Sequence, residues 1–245
     1  MTTVGNPFKS SPSTDHGKGS IVDDFMYGSN VATAHIYIRM GFLRKVYGIL
    51  STQLLITTLT AAFFILHEPT KLFVQQNSWM LMVAMFGTIG IMLALMFKQR
   101  ETPINYILLM AFTAMEAYTV GVIVTFYDKA AVMEAFALTC AVTLGLTAYT
   151  FQSKRDFSSW GPSLFAVLWV LILAGFLQLF FPTVTIDRLL SIGGALIFSL
   201  FIIYDTHMMM HKVSPEEYIV ASINLYLDII NLFLYILRII GENRK

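Results

Sequence analysis

Seven long apolar stretches, separated by short polar breaks, dominate the pattern of hydrophobic and polar positions along this chain. Each is close to the roughly 20 residues that an α-helix needs to cross the ~30 Å hydrocarbon layer of a bilayer. Because the breaks are short, consecutive helices are expected to run antiparallel as neighbours. The pattern predicts an all-α, polytopic membrane protein with seven transmembrane segments, numbered 1 to 7, at residues 46–66, 79–97, 104–126, 131–151, 162–181, 189–210 and 219–240.

The composition agrees with a membrane bundle and leaves little room for a second folded domain. Hydrophobic residues make up 56% of the chain, charged residues only 13%, and the mean hydropathy is +0.68. A soluble domain carries about 25% charged residues. Membrane lipid is the expected surrounding of so apolar a chain. The net charge of +1 argues against a nucleic-acid partner.

The N-terminal residues 1–30 lack the apolar pattern. They contain Gly, Pro, Ser and Thr with little apolar periodicity, which predicts a disordered tail. No apolar stretch followed by a small-residue cleavage site precedes segment 1, so we expect that segment itself to act as the insertion signal. Residues 31–245 are then expected to form one transmembrane domain.

The distribution of Lys and Arg predicts the orientation in the membrane, because the more basic loops face the cytosol. Eight basic residues flank the segments on the N-terminal side, against three on the opposite side, so the N-terminus and its tail are expected to be cytosolic. The eight are Arg39, Arg44, Lys45, Lys98, Arg100, Lys154, Arg155 and Lys212; the three are Lys71, Lys129 and Arg188.

Segment 7 complicates this distribution. A seventh full crossing places Arg238, Arg244 and Lys245 on the opposite side and reduces the bias to eight against six. If the segment instead dips into the bilayer and returns, the bias becomes eleven against three. The charge count leaves two alternatives open: a re-entrant last segment, or a full span held by its packing.

Segment 7 also carries a polar stripe along one helical face. Its members recur at spacings of four, three, four and three residues: Asn224, Asp228, Asn231, Tyr235 and Arg238. Such a stripe is costly against lipid, so it must face other helices or water. The last helix is therefore expected at the centre of the bundle, with Asn224, Asn231 and Tyr235 as candidate pore or core polar residues.

Two aspartates are the strongest candidates for function. Asp205 lies inside segment 6 and Asp228 near the middle of segment 7, where a carboxyl group costs several kcal/mol unless it is paired, protonated or hydrated. The two segments form a hairpin, and at 1.5 Å per residue the two depths differ by only about 6 Å. Neighbouring carboxyl groups tend to share one proton. We predict a pH-responsive pair that holds the helices together when protonated, and that repels and draws in cations or water when deprotonated.

Other polar residues in the segments allow less specific interpretations. Glu116, near the centre of segment 3, is either a neutral glutamate bonded to a neighbouring helix or a further proton or cation ligand in the same cavity. His207 and His211, one turn apart, could bind a transition metal, but three methionines lie between them and they sit at the membrane edge. We expect no resident metal and no cofactor.

An intramembrane aspartyl protease is the main enzyme alternative, because it also carries aspartates on two adjacent helices. Tyr204 followed by Asp205 fits half of its signature. The other half requires Gly-x-Gly before the second aspartate, so that a substrate backbone can approach it. Here the bulky run Leu225–Leu227 precedes Asp228, so the sequence argues against an enzyme.

Around the two aspartates the sequence closely resembles the Bax-inhibitor motif family, also called Lifeguard. The motifs that carry the resemblance are Phe201–His207, Ser214–Tyr218 and Asn224–Phe233. Three further stretches are similar to the Golgi anti-apoptotic branch of the family: Ile38–Tyr47, Val124–Asp128 and Tyr149–Lys154. The resemblance extends from Ile21 to the C-terminus.

The resemblance implies a fold and a function. Bacterial relatives are bundles in which six helices surround a central last one, and an aspartate pair that matches Asp205 and Asp228 senses pH and gates a calcium leak. Animal members sit in Golgi or ER membranes, lower the luminal calcium store and restrain apoptosis. The resemblance thus implies a pH-sensitive, calcium-permeable leak channel, with Ca²⁺ as a permeant ion that binds transiently at the pair.

Two points stay open at the level of sequence. In the relatives a basic residue that ends the second helix is proposed to latch onto the aspartates; here Gln99 takes that position, and Lys98 and Arg100 beside it are the candidates. The alternative function is a non-conducting membrane scaffold that regulates apoptosis and calcium release through partners, either calcium-release channels or apoptosis regulators. Assembly into a homo-oligomer is also left open.

Overall fold

The computed structural model describes residues 36–243, which form eight α-helices and one 3₁₀ turn. The elements are α1 (Ile36–Leu66), α2 (Glu68–Gln76), α3 (Trp79–Lys98), α4 (Ile104–Val124), α5 (Lys129–Gln152), the 3₁₀ turn (Ser158–Trp160), α6 (Gly161–Phe180), α7 (Val184–His211) and α8 (Tyr218–Asn243). The expected tail at residues 1–30, together with Arg244 and Lys245, lies outside the described residues.

Seven of these helices are long and apolar enough to span a bilayer, which confirms the prediction of an all-α, polytopic membrane bundle. Most helix ends agree with the predicted segments to within a turn or two. The exception is α1, which begins at Ile36 rather than Val46. Its first turns carry the exposed Arg44 and Lys45, whose charges lower the local hydropathy without disfavouring a helix.

The sequence pattern did not predict α2, a short helix between α1 and α3. Nδ1 of His67, the residue before it, accepts a hydrogen bond from the backbone N–H of Thr70 at 3.3 Å and so caps the helix. Val74 is buried, while Leu72 and Phe73 are exposed. At nine residues the helix is far shorter than a membrane span, so a search for long apolar stretches cannot detect it.

Because consecutive long helices run antiparallel, their termini lie at two opposite ends of the bundle. We call one the basic end, because it holds the eight basic residues of the predicted cytosolic side. Contacts at this end join different helices; for example, Nζ of Lys45 on α1 lies 4.9 Å from the ring centroid of Tyr218 on α8. At the opposite end, Nε2 of Gln75 on α2 donates to the backbone carbonyl of Thr125 at 2.9 Å.

Helix α8 lies at the centre of the bundle, as the polar stripe predicted. It packs against α1, α4, α5 and α7. Of its most apolar stretch 67% is buried, against at most 44% for any other span. Helix α3 packs mainly on α4 and α6 mainly on α7, so these two helices form an outer layer that presents apolar side chains to lipid.

Helix α8 is one uninterrupted helix of 26 residues, or about 39 Å at 1.5 Å per residue, which is enough to cross a bilayer. It has no break at which the chain could turn back, so the helix favours a full span over a re-entrant segment. Arg238, near its far end, forms a two-point ion pair with Asp187 of α7, with Nε and Oδ2 3.2 Å apart. Arg188 of α7 pairs with Glu242 of α8 at 3.1 Å. The first pair neutralises Arg238, one of the three positive charges that opposed a full crossing, and the second neutralises Arg188 at the same end of the bundle.

Candidate functional site

Asp205 of α7 and Asp228 of α8 meet inside the bundle. The loop of residues 212–217 turns the chain back, so that α7 and α8 pack side by side. The two carboxyl groups come within hydrogen-bonding reach of each other across this interface. Asp228 is only 5% exposed and Asp205 is half-buried. The similar depth expected from the hairpin therefore brings the two side chains into contact.

A hydrogen bond between two carboxyl groups implies a proton in the pair. An ionised carboxylate only accepts hydrogen bonds, so at least one of the two partners must be protonated. Two ionised carboxylates in the same place repel each other strongly, because the protein interior screens charge far less than water does. One proton thus decides whether α7 and α8 attract or repel each other at this point.

One oxygen of the pair has no partner. Oδ2 of Asp228 is buried and makes no hydrogen bond to any described residue. Leaving a buried acceptor without a partner costs about 1–3 kcal/mol, and more when the group is charged. The position therefore favours a water molecule, a proton or a cation, and carboxylate oxygens are ligands that calcium prefers.

The polar stripe of α8 faces α7. Tyr235 stacks on Phe198 of α7, with ring centroids 5.8 Å apart. One turn further on, Arg238 pairs with Asp187 of α7. The carboxyl pair lies between the same two helices, so the stripe is the contact surface through which the central helix meets α7.

The two asparagines of the stripe have a less specific environment. Asn231 donates from Nδ2 to the backbone carbonyl of Leu227 in its own helix at 2.8 Å. Asn224 is half-buried. Among the described residues neither amide forms a hydrogen bond with the carboxyl pair, and their role as pore residues stays a prediction.

The two candidate latch residues form ion pairs elsewhere. Nζ of Lys98 lies 2.7 Å from Glu101, three residues along the chain. Arg100 reaches Glu217 and Glu216, in the loop between α7 and α8, at 3.6 and 3.9 Å. Exposed pairs of this kind contribute little to stability. Arg100 therefore contacts the hairpin that carries the aspartates, but it does so at the loop and not at the carboxyl groups.

Glu116 belongs to a different cluster. It is half-buried on α4, beside Thr88 of α3 and near the Tyr226 hydroxyl of α8. Tyr226 lies two residues before Asp228, so it points to the other side of α8, where its hydroxyl is 2.8 Å from Oγ1 of Thr57 on α1. Glu116 thus interacts with a residue on a different face of α8 from Asp228, and its role as a pore or core residue stays a prediction.

At the basic end the α5–α6 loop covers His207. The buried Phe157 packs edge-on against its ring at 5.6 Å, and Oδ1 of Asp156 lies 3.7 Å from its Nε2. Hydrogen bonds from the hydroxyl and backbone N–H of Ser158 hold the pKa of Asp156 below its usual range, and His207 adds a smaller effect. The rings of His207 and His211 stack, with centroids 4.4 Å apart. Within residues 36–243 no three His, Cys, Asp or Glu side chains are grouped to hold a metal ion.

Sequence reasoning gave no functional weight to two polar residues that join neighbouring helices. Asp187, the partner of Arg238, lies before the start of predicted segment 6. Charged residues are common outside apolar segments, so nothing in the pattern singled it out. Gln53 of α1 is buried and donates from Nε2 to Oγ1 of Thr113 on α4 at 3.1 Å. The signal for Gln53 was present: an amide inside an apolar segment has to find a hydrogen-bond partner.

Comparisons with known proteins agree on one family. The profile of the family described as "Inhibitor of apoptosis-promoting Bax1" matches residues 39–245. The "Golgi anti-apoptotic protein" of Vaccinia virus (strain Lister) is 53% identical over 226 residues, which cover 92% of this chain and 95% of that protein. "Protein lifeguard 4" of Mus musculus is 52% identical over 234 residues, 95% of this chain and 98% of that protein.

A more distant relative gives the same result. The "Bax inhibitor 1" of Schizosaccharomyces pombe is 43% identical over 221 residues, which cover 90% of this chain and 83% of that protein. The family profile extends over both aspartate-bearing helices. The chain therefore belongs to the Bax1-inhibitor family of membrane proteins, in agreement with the motifs around its two aspartates.

Proposed function

We propose that this protein is a calcium-permeable leak channel whose gate is the pair Asp205 and Asp228. The observation that supports the proposal is the approach of the two carboxyl groups to within hydrogen-bonding reach between α7 and the central α8, with an unpartnered buried oxygen beside them. A hydrogen bond between two carboxyl groups is lost when its proton dissociates. Two negative charges then face each other at the centre of the bundle.

Charge balance favours a divalent cation at the deprotonated pair. A net charge inside the hydrocarbon layer is costly, and two ionised carboxylates carry two negative charges. Ca²⁺ neutralises both and prefers oxygen ligands. Protons and Ca²⁺ therefore compete for the same oxygens: a shared proton closes α7 on α8, and its loss opens the interface to Ca²⁺ and water. Among the described residues no basic side chain is paired with either aspartate, so nothing there offsets the repulsion.

The names of the relatives extend the proposal to the cell. The viral relative is named for the Golgi and for an anti-apoptotic role, and the yeast relative for inhibition of Bax. We therefore place this protein in the Golgi membrane, with the ER as a second site and the basic end in the cytosol. A calcium leak in these membranes lowers the luminal store, and through this lowering the protein restrains apoptosis.

The surroundings of Asp228 support a channel rather than a protease. Leu225 and Tyr226, which precede it, are buried and bulky. A scissile peptide needs space for its backbone beside the catalytic carboxyl groups, and Leu225, one turn before Asp228 on the same side of α8, restricts that space. The family description likewise names an inhibitor of apoptosis and no catalytic activity.

The alternative proposal is a non-conducting scaffold that acts through partners, either calcium-release channels or apoptosis regulators. The outer layer of α3 and α6 supports it, because these helices present a broad apolar surface on which other membrane proteins could dock. A scaffold of this kind needs no titrating pair at its centre.

Calcium flux through the purified protein in liposomes separates the two proposals. We expect efflux that increases with pH, because deprotonation opens the pair, by up to about tenfold per pH unit for a single linked proton. Protein-free liposomes are the control. Flux no greater than in these liposomes at any pH would contradict the channel and favour the scaffold.

A further inference from the structure

A cavity of about 500 Å³ opens at the basic end of the bundle. Its wall combines α1, the loop between α3 and α4, the loop between α7 and α8, and the first residues of α4 and α8. The volume is that of a pocket for a small ligand. Because the cavity lies between helix ends, it is at the depth of the lipid headgroups rather than of the hydrocarbon layer.

Contacts between its elements hold the wall in place. Nζ of Lys45 on α1 lies over the ring of Tyr218 on α8, and the Tyr218 hydroxyl is 3.1 Å from the Tyr106 hydroxyl on α4. Nδ2 of the buried Asn105 donates to the backbone carbonyl of Gln99 at 3.0 Å and so fixes the α3–α4 loop. The cavity is therefore formed before a ligand binds, which lowers the entropy cost of binding.

Two cations in the wall have hydrogen-bond donors to spare. Arg100 lies 3.6 Å from Glu217 and 3.9 Å from Glu216, distances too long for hydrogen bonds. Its guanidinium makes no hydrogen bond to any described residue, so its five N–H donors are free for a ligand. Lys45 contacts only the face of the Tyr218 ring and has no carboxylate partner within residues 36–243. The two side chains can each bind one anionic group.

The wall also contains acceptors and an apolar part. Glu216 lines the cavity, whereas Glu217 does not, and Oε1 of Gln99 is buried there without a hydrogen-bond partner among the described residues. Ile38 and Phe42, one turn apart on α1, add an apolar surface. A complementary ligand therefore carries two anionic groups, one ammonium group and an apolar part.

From this complementarity we propose that the cavity binds the headgroup of one phosphatidylserine molecule. The phosphate pairs with Arg100, whose planar guanidinium binds phosphate oxygens two at a time, and the serine carboxylate pairs with Lys45. The ammonium group pairs with Glu216, and the glycerol end lies along the apolar surface of α1. Basic pockets between transmembrane helices are known sites for anionic headgroups. The site is distinct from the aspartate pair and does not depend on the protein's conducting calcium.

Native mass spectrometry of the purified full-length protein tests the site, because it resolves each bound lipid molecule. With dioctanoyl phosphatidylserine we expect one tight site. Dioctanoyl phosphatidylglycerol, which lacks the ammonium group, and dioctanoyl phosphatidylcholine, which lacks the carboxylate, are each expected to bind about fivefold more weakly. Arg100→Gln and Lys45→Gln each remove one cation from the wall, and each should weaken phosphatidylserine binding about fivefold.

Two further variants make the result specific. Lys154→Gln is the matched control: Lys154 is an exposed lysine at the same end of the bundle but outside the cavity, and its variant should bind phosphatidylserine as the wild type does. Glu216→Gln removes the partner of the ammonium group. We expect this variant to lose the preference for phosphatidylserine over phosphatidylglycerol while it still binds both lipids.

Three results would overturn the proposal. The first is phosphatidylserine binding no tighter than that of phosphatidylglycerol and phosphatidylcholine. The second is equal weakening by Lys154→Gln and Arg100→Gln, because the lipid would then respond only to the general positive charge of the basic end. The third is complete displacement of the lipid by inorganic phosphate at the same concentration, because a bare anion would then be sufficient. We expect inorganic phosphate to leave the lipid bound.

Discussion

An Asp205→Asn/Asp228→Asn protein is expected to lose the pH dependence of its calcium flux. Asparagine side chains do not titrate, yet two amides can still hydrogen-bond, so α7 and α8 should stay in contact at every pH. In the wild type, loss of the shared proton places two negative charges together, and the flux should change by up to about tenfold per pH unit. In the variant, the flux at neutral pH should fall to the low level that the wild type shows at acid pH.

A matched control for this experiment is Asp156→Asn. Asp156 lies at the basic end, exposed and next to His207, and it does not contact the pair. Its variant should keep the wild-type dependence of flux on pH. A double asparagine variant that folds and keeps the wild-type pH response would show that other groups sense pH.

Gly194→Ala is expected to weaken the packing of α7 on α8. A Cβ at Gly194 would overlap the ring of Tyr235, which is held in place by its stack on Phe198. Alanine in a helix gains up to about 1 kcal/mol over glycine, but overpacking costs about 1–3 kcal/mol. We expect a net decrease in Tm of a few degrees, measured by thermal unfolding in detergent. Because the overlap separates the helices that carry the aspartates, a weaker pH dependence of flux is expected as well.

The neighbouring glycine provides the control. A Cβ at Gly193 would lie 3.8 Å from Cδ2 of Leu171, an ordinary contact. Gly193→Ala should therefore leave the Tm unchanged or increase it, through the helix propensity of alanine. Equal Tm values for the two variants would mean that the Tyr235 ring moves aside at little cost, and that close packing at Gly194 is not required.

The membrane spans and the contact between the two aspartates could be predicted from the sequence, because both depend only on the depth of each residue in the membrane. Apolar length fixes the spans, and counting along a hairpin fixes the relative depth of Asp205 and Asp228. The central position of α8 could also be predicted from the sequence, since a polar stripe on a long apolar helix cannot face lipid.

The rotation of each helix about its own axis could not be predicted from the sequence in this way. The sequence put Glu116 at a suitable depth, but which side of α8 it faces depends on how α4 packs against its neighbours. The partners of Arg100 and Arg238 were missed for a related reason. Glu216, Glu217 and Asp187 lie in loops or first turns, where apolar periodicity carries no information.

Infrared difference spectroscopy on addition of calcium tests the central claim most directly: that Asp205 and Asp228 share a proton which Ca²⁺ displaces. For the wild type we predict loss of the C=O stretching band of a protonated carboxyl group, together with release of a proton to the buffer. The Asp205→Asn/Asp228→Asn protein should show neither change. An unchanged carboxyl band in the wild type while calcium binds, or an equal loss of the band in the double variant, would contradict the claim.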